Sequence, residues 1–189
     1  MKRRIIFLIV FSLLLFPVTS TIAELDAEAE GLLQGSIARA KETAVVKPTA
    51  QMVMEKVEQA ARLIAELGPA AFPRFKGADS EFIYSGTYIW VHSAKSGVML
   101  MHPMIPTLEG QNVLFLRDKH DKMMFVDFNR TALTKGSGWV DYMWPKPGES
   151  EPSLKVSYVK RVDYGNETYV VGSGVYDISL DDLPQKPGQ

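Results

Sequence analysis

A lysine, two tyrosines, a tryptophan and a histidine form the most chemically suggestive set in this chain of 189 residues. Lys155 supplies a cation, Tyr142, Tyr158 and His102 supply hydroxyl or imidazole donors, and Trp144 adds an apolar wall. In a site dry enough for charge to count, that set suits a small carboxylate. Alternation along a strand puts Tyr142 and Trp144 on one face. The same rule puts Lys155 and Tyr158 on opposite faces of their strand unless a bulge intervenes. The competing reading is packing alone, with the aromatics in the core and Lys155 paired with a neighbouring carboxylate.

Other chemistries are weaker. Met99, Met101, His102 and Met104 cluster within six positions, and thioether and imidazole ligands suit Cu(I). Alternation, however, places Met99 and Met101 on one face and His102 on the other, and methionine commonly fills core gaps. The three histidines, His92, His102 and His120, have no helical i, i+4 pair of the kind that builds a zinc site. No Gly-x-Ser-x-Gly elbow precedes a helix. Gly172-Ser173-Gly174 falls within a strand, where glycines mark close backbone approach. Residues 117–122 offer two carboxylates and no turn glycine, so they read as a solvated turn and not a calcium loop. The absence of cysteine excludes disulfides, thiolate metal centres, a thiol nucleophile and a lipid-modified N-terminal cysteine. A net charge of −1 gives no basic excess for nucleic acid. No catalytic residue, metal or cofactor is expected.

The elements that must position these groups fall into two regions. Residues 24–67 read as helical: small or apolar positions recur at Leu25, Ala29, Leu32, Ser36/Ile37 and Ala40, then at Val53, Val57, Ala60/Ala61, Ile64 and Leu67, in steps of three and four. Pro48 divides them into two helices or one kinked helix, and Gly68-Pro69 is a stop. The second stripe is the stronger. Beyond Pro73 the pattern turns to strands, over residues 88–92, 98–102, 139–144, 154–162 and 168–176, with turns at Ser96-Gly97 and Tyr164-Gly165-Asn166. A helix covers residues 125–133 and ends near Gly136. Helices followed by hairpin-linked strands make an α+β fold with an antiparallel sheet. The long helix covers one face, residues 103–135 cover the other, and a cavity under the second cover is the natural ligand site.

At the N-terminus, Lys2-Arg3-Arg4 precede an apolar run broken only by Ser12, and Thr21-Ile22-Ala23 follows. This reads as a cleavable secretory signal, too short to span a bilayer. The mature chain would start at Glu24 in the periplasm or outside the cell.

Several stretches resemble a single Cache domain, a PAS-like extracytoplasmic sensor module. They are Tyr88-Ile89-Trp90-Val91, Leu100-Met101-His102-Pro103, Glu109-Gly110-Gln111-Asn112, the run from Gly136 to Gly148, Lys155-Val156-Ser157-Tyr158-Val159-Lys160 and Val171-Gly172-Ser173-Gly174-Val175-Tyr176. The resemblance implies a long N-terminal helix behind an antiparallel sheet of about five strands, short helical elements on the other face, and recognition of a small ligand, often a carboxylate. It does not imply catalysis. The expected division is a signal peptide over residues 1–23, a helical lead-in over 24–48, one domain over 49–178 and a tail over 179–189. The chain ends thirteen residues after Tyr176, where the resemblance implies that a receptor would continue into a transmembrane helix and signalling module, so the expected roles are reporting the ligand to a separate membrane receptor or kinase, or buffering it. The leading expectation is a periplasmic sensor holding a small organic anion with His102, Tyr142, Trp144, Lys155 and Tyr158. The rivals are a non-sensing structural or interaction module and a metal-handling protein. An open, partly polar cavity lined by Tyr142, Trp144 and Lys155 would favour the sensor, and one filled by side chains would favour the interaction module.

Overall fold

The computed structural model describes residues 22–183. The expected export signal, apart from its last two residues, and the end of the tail lie outside them. Helix α1 (Ile22–Thr43) and helix α2 (Ala50–Leu67) are separate. Pro48 lies between them, and Thr49 caps α2 by accepting a hydrogen bond from the Met52 N–H at 3.1 Å. Helix α1 has the weak packing face its alanine-rich sequence implies, burying only Ser36 and Ala40 among residues 24–43. Helix α2 buries Val53, Val57, Ala60, Ala61 and Ile64, the stripe expected from its spacing.

Seven strands follow: β1 (Ile83–Tyr84), β2 (Thr87–Tyr88), β3 (Trp90–Ser93), β4 (Met99–Met101), β5 (Ser137–Pro145), β6 (Pro152–Tyr164) and β7 (Glu167–Tyr176), with helix α3 (Met124–Lys135) before β5. Strands β1 and β2 form a small hairpin, and the other five form an antiparallel sheet in the order β4-β3-β7-β6-β5. Helix α2 lies on one face, over Val91, Met101, Val162 and Val171. Helix α3 and the chain before it cover the other, where Phe125 and Phe128 pack with Trp90, Tyr142 and Trp144. The charged turn is fixed by Asp118, whose carboxylate accepts the N–H groups of His120, Lys122 and Met143 at 2.8, 2.9 and 2.8 Å. It thereby ties this cover to the edge strand β5.

Two expectations need correction. The stretch 88–92 is not one strand: it divides at Ile89 between β2 and β3. Met99 and Met101 do not share a face. The β3–β4 register shifts between Val91 and His92, so Met99 joins the core under α3 and Met101 the core under α2. The sheet therefore separates Met101 from Met99 and Met104, and the full copper set does not come together.

Candidate ligand-binding site

Backbone pairing builds the site. Tyr142 on β5 stands opposite Lys155 on β6, and Lys155 stands opposite Tyr176 on β7, so the three side chains form a row on the α3 side of the sheet. Ser157, two residues along β6, shares that face, and its hydroxyl lies 3.0 Å from that of Tyr142. Trp144 comes from the same face of β5 and donates its indole N–H to the Tyr88 hydroxyl at 2.9 Å. Trp90 enters from β3, opposite Gly172. His102, just after β4, sets its ring 5.1 Å from that of Tyr88 and 6.0 Å from that of Trp144.

Two glycines on β7 make this arrangement possible. A Cβ on Gly172 would stand 2.5 Å from the Trp90 ring, and one on Gly174 would stand 2.2 Å from Ser157 Oγ. Both distances are far inside van der Waals contact, so the close approach anticipated for Gly172-Ser173-Gly174 has a purpose: it makes room for an indole and a hydroxyl.

Lys155 is the anomaly. It is 0% exposed, and its Nζ has no hydrogen-bond acceptor among the described residues. The carboxylate partner that a packing role would require is missing from its surroundings. Aromatic faces surround the nitrogen instead, with ring centroids at 4.2 Å for Tyr88, 4.6 Å for Tyr176 and 5.3 Å for Trp90. Cation–π attraction offsets part of the cost of burying the charge, but an unpaired buried ammonium still carries a penalty of several kcal/mol. Burial accordingly pushes the Lys155 ammonium well below the usual lysine range. A strongly perturbed cation without a counter-charge among the described residues, in a shell of hydroxyls and rings, is a candidate site for an anion.

His102 closes one side. Its Nδ1 accepts the Ile105 N–H at 2.9 Å, which leaves the proton of the neutral ring on Nε2. Its own backbone N–H donates to Glu109 Oε1 at 2.7 Å, and Lys76 pairs with the same oxygen at 2.6 Å. Beyond His102 a cavity of about 120 Å³ lies between α1 and the following chain, bordered by Ser36, Lys76, Pro106 and Glu109.

Burial lowers His92 to about 4 against the opposing hydrogen bond to Asn129. Burial, with the Lys155 and Lys76 charges, lowers His102 to about 3. Unfolded imidazoles titrate near 6.5. Below that pH the unfolded chain binds protons that the fold refuses, so stability falls as pH drops from 6.5 towards 4 for His92 and towards 3 for His102. By pH 5 the two together should cost on the order of 4 kcal/mol. Urea unfolding at pH 7.5 and 5.0 measures this, and coincident midpoints would show that the folded domain accommodates both imidazolium charges.

Of the residues expected in the site, the fold brings His102, Tyr142, Trp144 and Lys155 together. Tyr158 stands on the other face. The β5–β6 and β6–β7 registers run without a bulge through Lys155 and Tyr158, so alternation holds. The Tyr158 hydroxyl donates to Ser137 Oγ at 2.7 Å, and its ring packs 5.2 Å from that of Trp139. Tyr88, Trp90 and Tyr176 complete the shell and were not anticipated as site residues, although alternation pairs Tyr88 with Trp90 and the tight β6–β7 turn sets Tyr176 opposite Lys155. The expected open cavity is not seen at Nζ: Tyr142 and Trp144 are 5% and 8% exposed, and the rings close over the nitrogen.

Comparison with known proteins agrees with this architecture. A chemotaxis-protein periplasmic sensor domain of known structure is 30% identical, with 85% of this chain and all of that one superposed at a TM-score of 0.51. A Cache chemosensory domain studied for the structural basis of carboxylic acid recognition is 29% identical, over 84% of this chain and 99% of that one, also at 0.51. A methyl-accepting chemotaxis protein from Vibrio parahaemolyticus shares the fold at 20% identity and a TM-score of 0.56, over 81% of this chain and 96% of that one. The methyl-accepting chemotaxis protein McpP of Pseudomonas putida is 36% identical over 89 residues, which are 47% of this chain and 16% of that receptor. The Cache domain family model matches residues 81–185, a segment that holds the sheet and every residue of the Lys155 shell. With the α2-backed antiparallel sheet and the site on its opposite face, this match places the chain in the Cache domain family of extracytoplasmic sensory domains.

Proposed function

We propose that this domain senses a small carboxylate, held by Lys155 with His102, Tyr142 and Trp144 around it, and passes the signal to a separate membrane receptor or kinase. One observation carries the reading: Lys155 Nζ is fully buried with no acceptor among the described residues and lies among three aromatic faces. A filled structural core gains nothing from such a lysine, whereas an anion binder needs a desolvated cation. The solved relative associated with carboxylic acid recognition supports the ligand class. Tyr158 has no part in the proposed site, because it lies behind the sheet.

The close packing over Nζ favours the second reading, an interaction module whose interior is simply filled. Thermal-shift screening of the mature domain against small carboxylates, amines and metal ions separates the two. A binding acid at about a hundred times its Kd should stabilise the fold by roughly 2.7 kcal/mol, a rise of several degrees. If no small acid moves the transition, the sensor reading fails and the interaction module stands.

A further inference from the structure

Lys155 is wholly enclosed, so a molecule that reaches Nζ must pass a side chain of its shell. His102 is a shell member that also borders a void: it lines the cavity of about 120 Å³ beside α1, with Leu32, Leu33, Lys76, Pro106 and Glu109. That space has room for several waters. On its other side the His102 ring packs 5.1 Å from the Tyr88 ring, whose centroid is 4.2 Å from Nζ. The imidazole feels the charges of both Lys155, in the chamber, and Lys76, on the cavity wall. His102 therefore separates the two spaces. By contrast, the groove between α3 and β5, lined by Lys122, Arg130, Lys135 and Trp139, is bordered by no residue of the shell.

The segment that carries His102 is a strap with few polar ties. Met104, Ile105 and Leu108 rest on the core under α3, but the hydrogen bonds of residues 102–109 run mostly within the segment: Ile105 N–H to His102 Nδ1, Leu108 N–H to the Ile105 carbonyl and Glu109 N–H to the Pro106 carbonyl. Pro103 and Pro106 have no N–H to give. Among the described residues, Glu109 with Lys76 is the one salt bridge from this segment to the rest of the fold. The same carboxylate accepts the His102 backbone N–H, so Glu109 ties both ends of the strap together and to Lys76. Lys76 is itself fixed against α1, because the adjacent Gly77 N–H donates to the buried Ser36 Oγ at 2.8 Å.

We propose that the cavity beside α1 is the entrance to the Lys155 chamber, that the 102–109 strap is its gate, and that Glu109 is the latch. With the latch released, His102 and Pro103 move aside and Nζ meets the cavity. Leu32 and Leu33 form the opposite wall, so the way in runs along α1. The inference rests on the reading of Lys155 as a ligand-binding group, and not on the ligand being a carboxylate. A gate held by one charged contact opens at a lower free energy than the whole fold, on the microsecond-to-second scale of lids.

Formaldehyde with dimethylamine-borane probes this route without any ligand. The Lys155 amine attacks the carbonyl carbon, water leaves, and hydride from the borane with a proton reduces the imine to a methylamine. Limited labelling and peptide mass mapping give the rate at Lys155, with the exposed Lys119 and Lys135 as internal standards. Glu109→Gln should methylate Lys155 about tenfold faster than the wild type. Leu32→Trp, which plugs the cavity, should slow it by a similar factor, and both variants should leave Lys119 and Lys135 unchanged. Two controls should leave the Lys155 rate as in the wild type: Asp118→Asn, which loosens the tie between the α3-side cover and β5, and Val57→Ala, which lowers global stability. If Glu109→Gln fails to fold, Leu32→Trp decides. Wild-type rates in both cavity variants, a rise in Val57→Ala that matches Glu109→Gln, or a rise confined to Asp118→Asn overturns the proposal. So does a Lys155 that stays unmethylated in every folded variant. Failure of the carboxylate reading would appear in the thermal-shift screen and leave these rates as they are.

Discussion

Lys155→Met should weaken binding of a small carboxylate by at least about a hundredfold and, without added ligand, raise the melting temperature of the domain by several degrees. The opposed signs are the test. Removing the cation takes away the charge that Lys155 offers an anion, and breaking such a buried pairing typically costs a few kcal/mol. In the protein alone the same lysine is a liability, buried among Tyr88, Trp90 and Tyr176 with no acceptor among the described residues. Methionine fills a similar volume and suits a packed strand. Exchanging buried charge for apolar side chains is often stabilising by about 1–4 kcal/mol. Calorimetric titration and thermal melts of both proteins give the two signs. A lower melting temperature would mean that Lys155 is a structural group with a partner, and equal affinities would remove it from the site.

Val57→Asp should leave no folded domain at room temperature. Val57 is 0% exposed at the centre of the α2 stripe and packs in the core that joins α2 to the sheet. A carboxylate there would sit among apolar side chains, and burying it unpaired costs more than the 4–5 kcal/mol that marks the extreme of single substitutions. Domains of this size are stable by about 5–15 kcal/mol in all. Circular dichroism and a urea titration check the outcome, with Val57→Ala as the milder control expected to fold. A cooperative transition near the wild-type midpoint for Val57→Asp would place α2 off the sheet.

These two residues also show what the sequence made legible. Val57 belongs to a stripe with helical period over five buried positions, a signal long enough to survive any local exception. Lys155 stood out as a strand-borne cation that could meet a carboxylate together with Tyr142 and Trp144. The site's other members were harder to see. Alternation placed Tyr142 and Trp144 together and warned that Tyr158 would leave the group, but the warning depended on whether a bulge lay between Lys155 and Tyr158. A register shift does occur in this sheet, between Val91 and His92, and it separates Met99 from Met101. Such shifts come from pairing with a partner strand, which no single stretch of sequence reveals. Strands β1 and β2 are two residues each, too short to show any period. Trp90 was hidden for another reason: its place depends on Gly172, eighty-two positions away and opposite it in the sheet.

The row Tyr142–Lys155–Tyr176 also limits how the lengths of these segments can diverge among descendants of this chain. Its alignment comes from backbone pairing, and a one-residue slip sends every side chain of a strand to the other face. An insertion within β6 between Lys155 and the Gly165 turn would move the lysine towards the α2 side and put Val156 or Leu154 in its row. The segment between Pro145 and Pro152, which lies outside the paired residues, can lengthen without touching the row. Gene lengths in this lineage should therefore drift in the β5–β6 connection while the spacing from Lys155 to Tyr176 stays constant, even where the side chains around the lysine change to suit another acid.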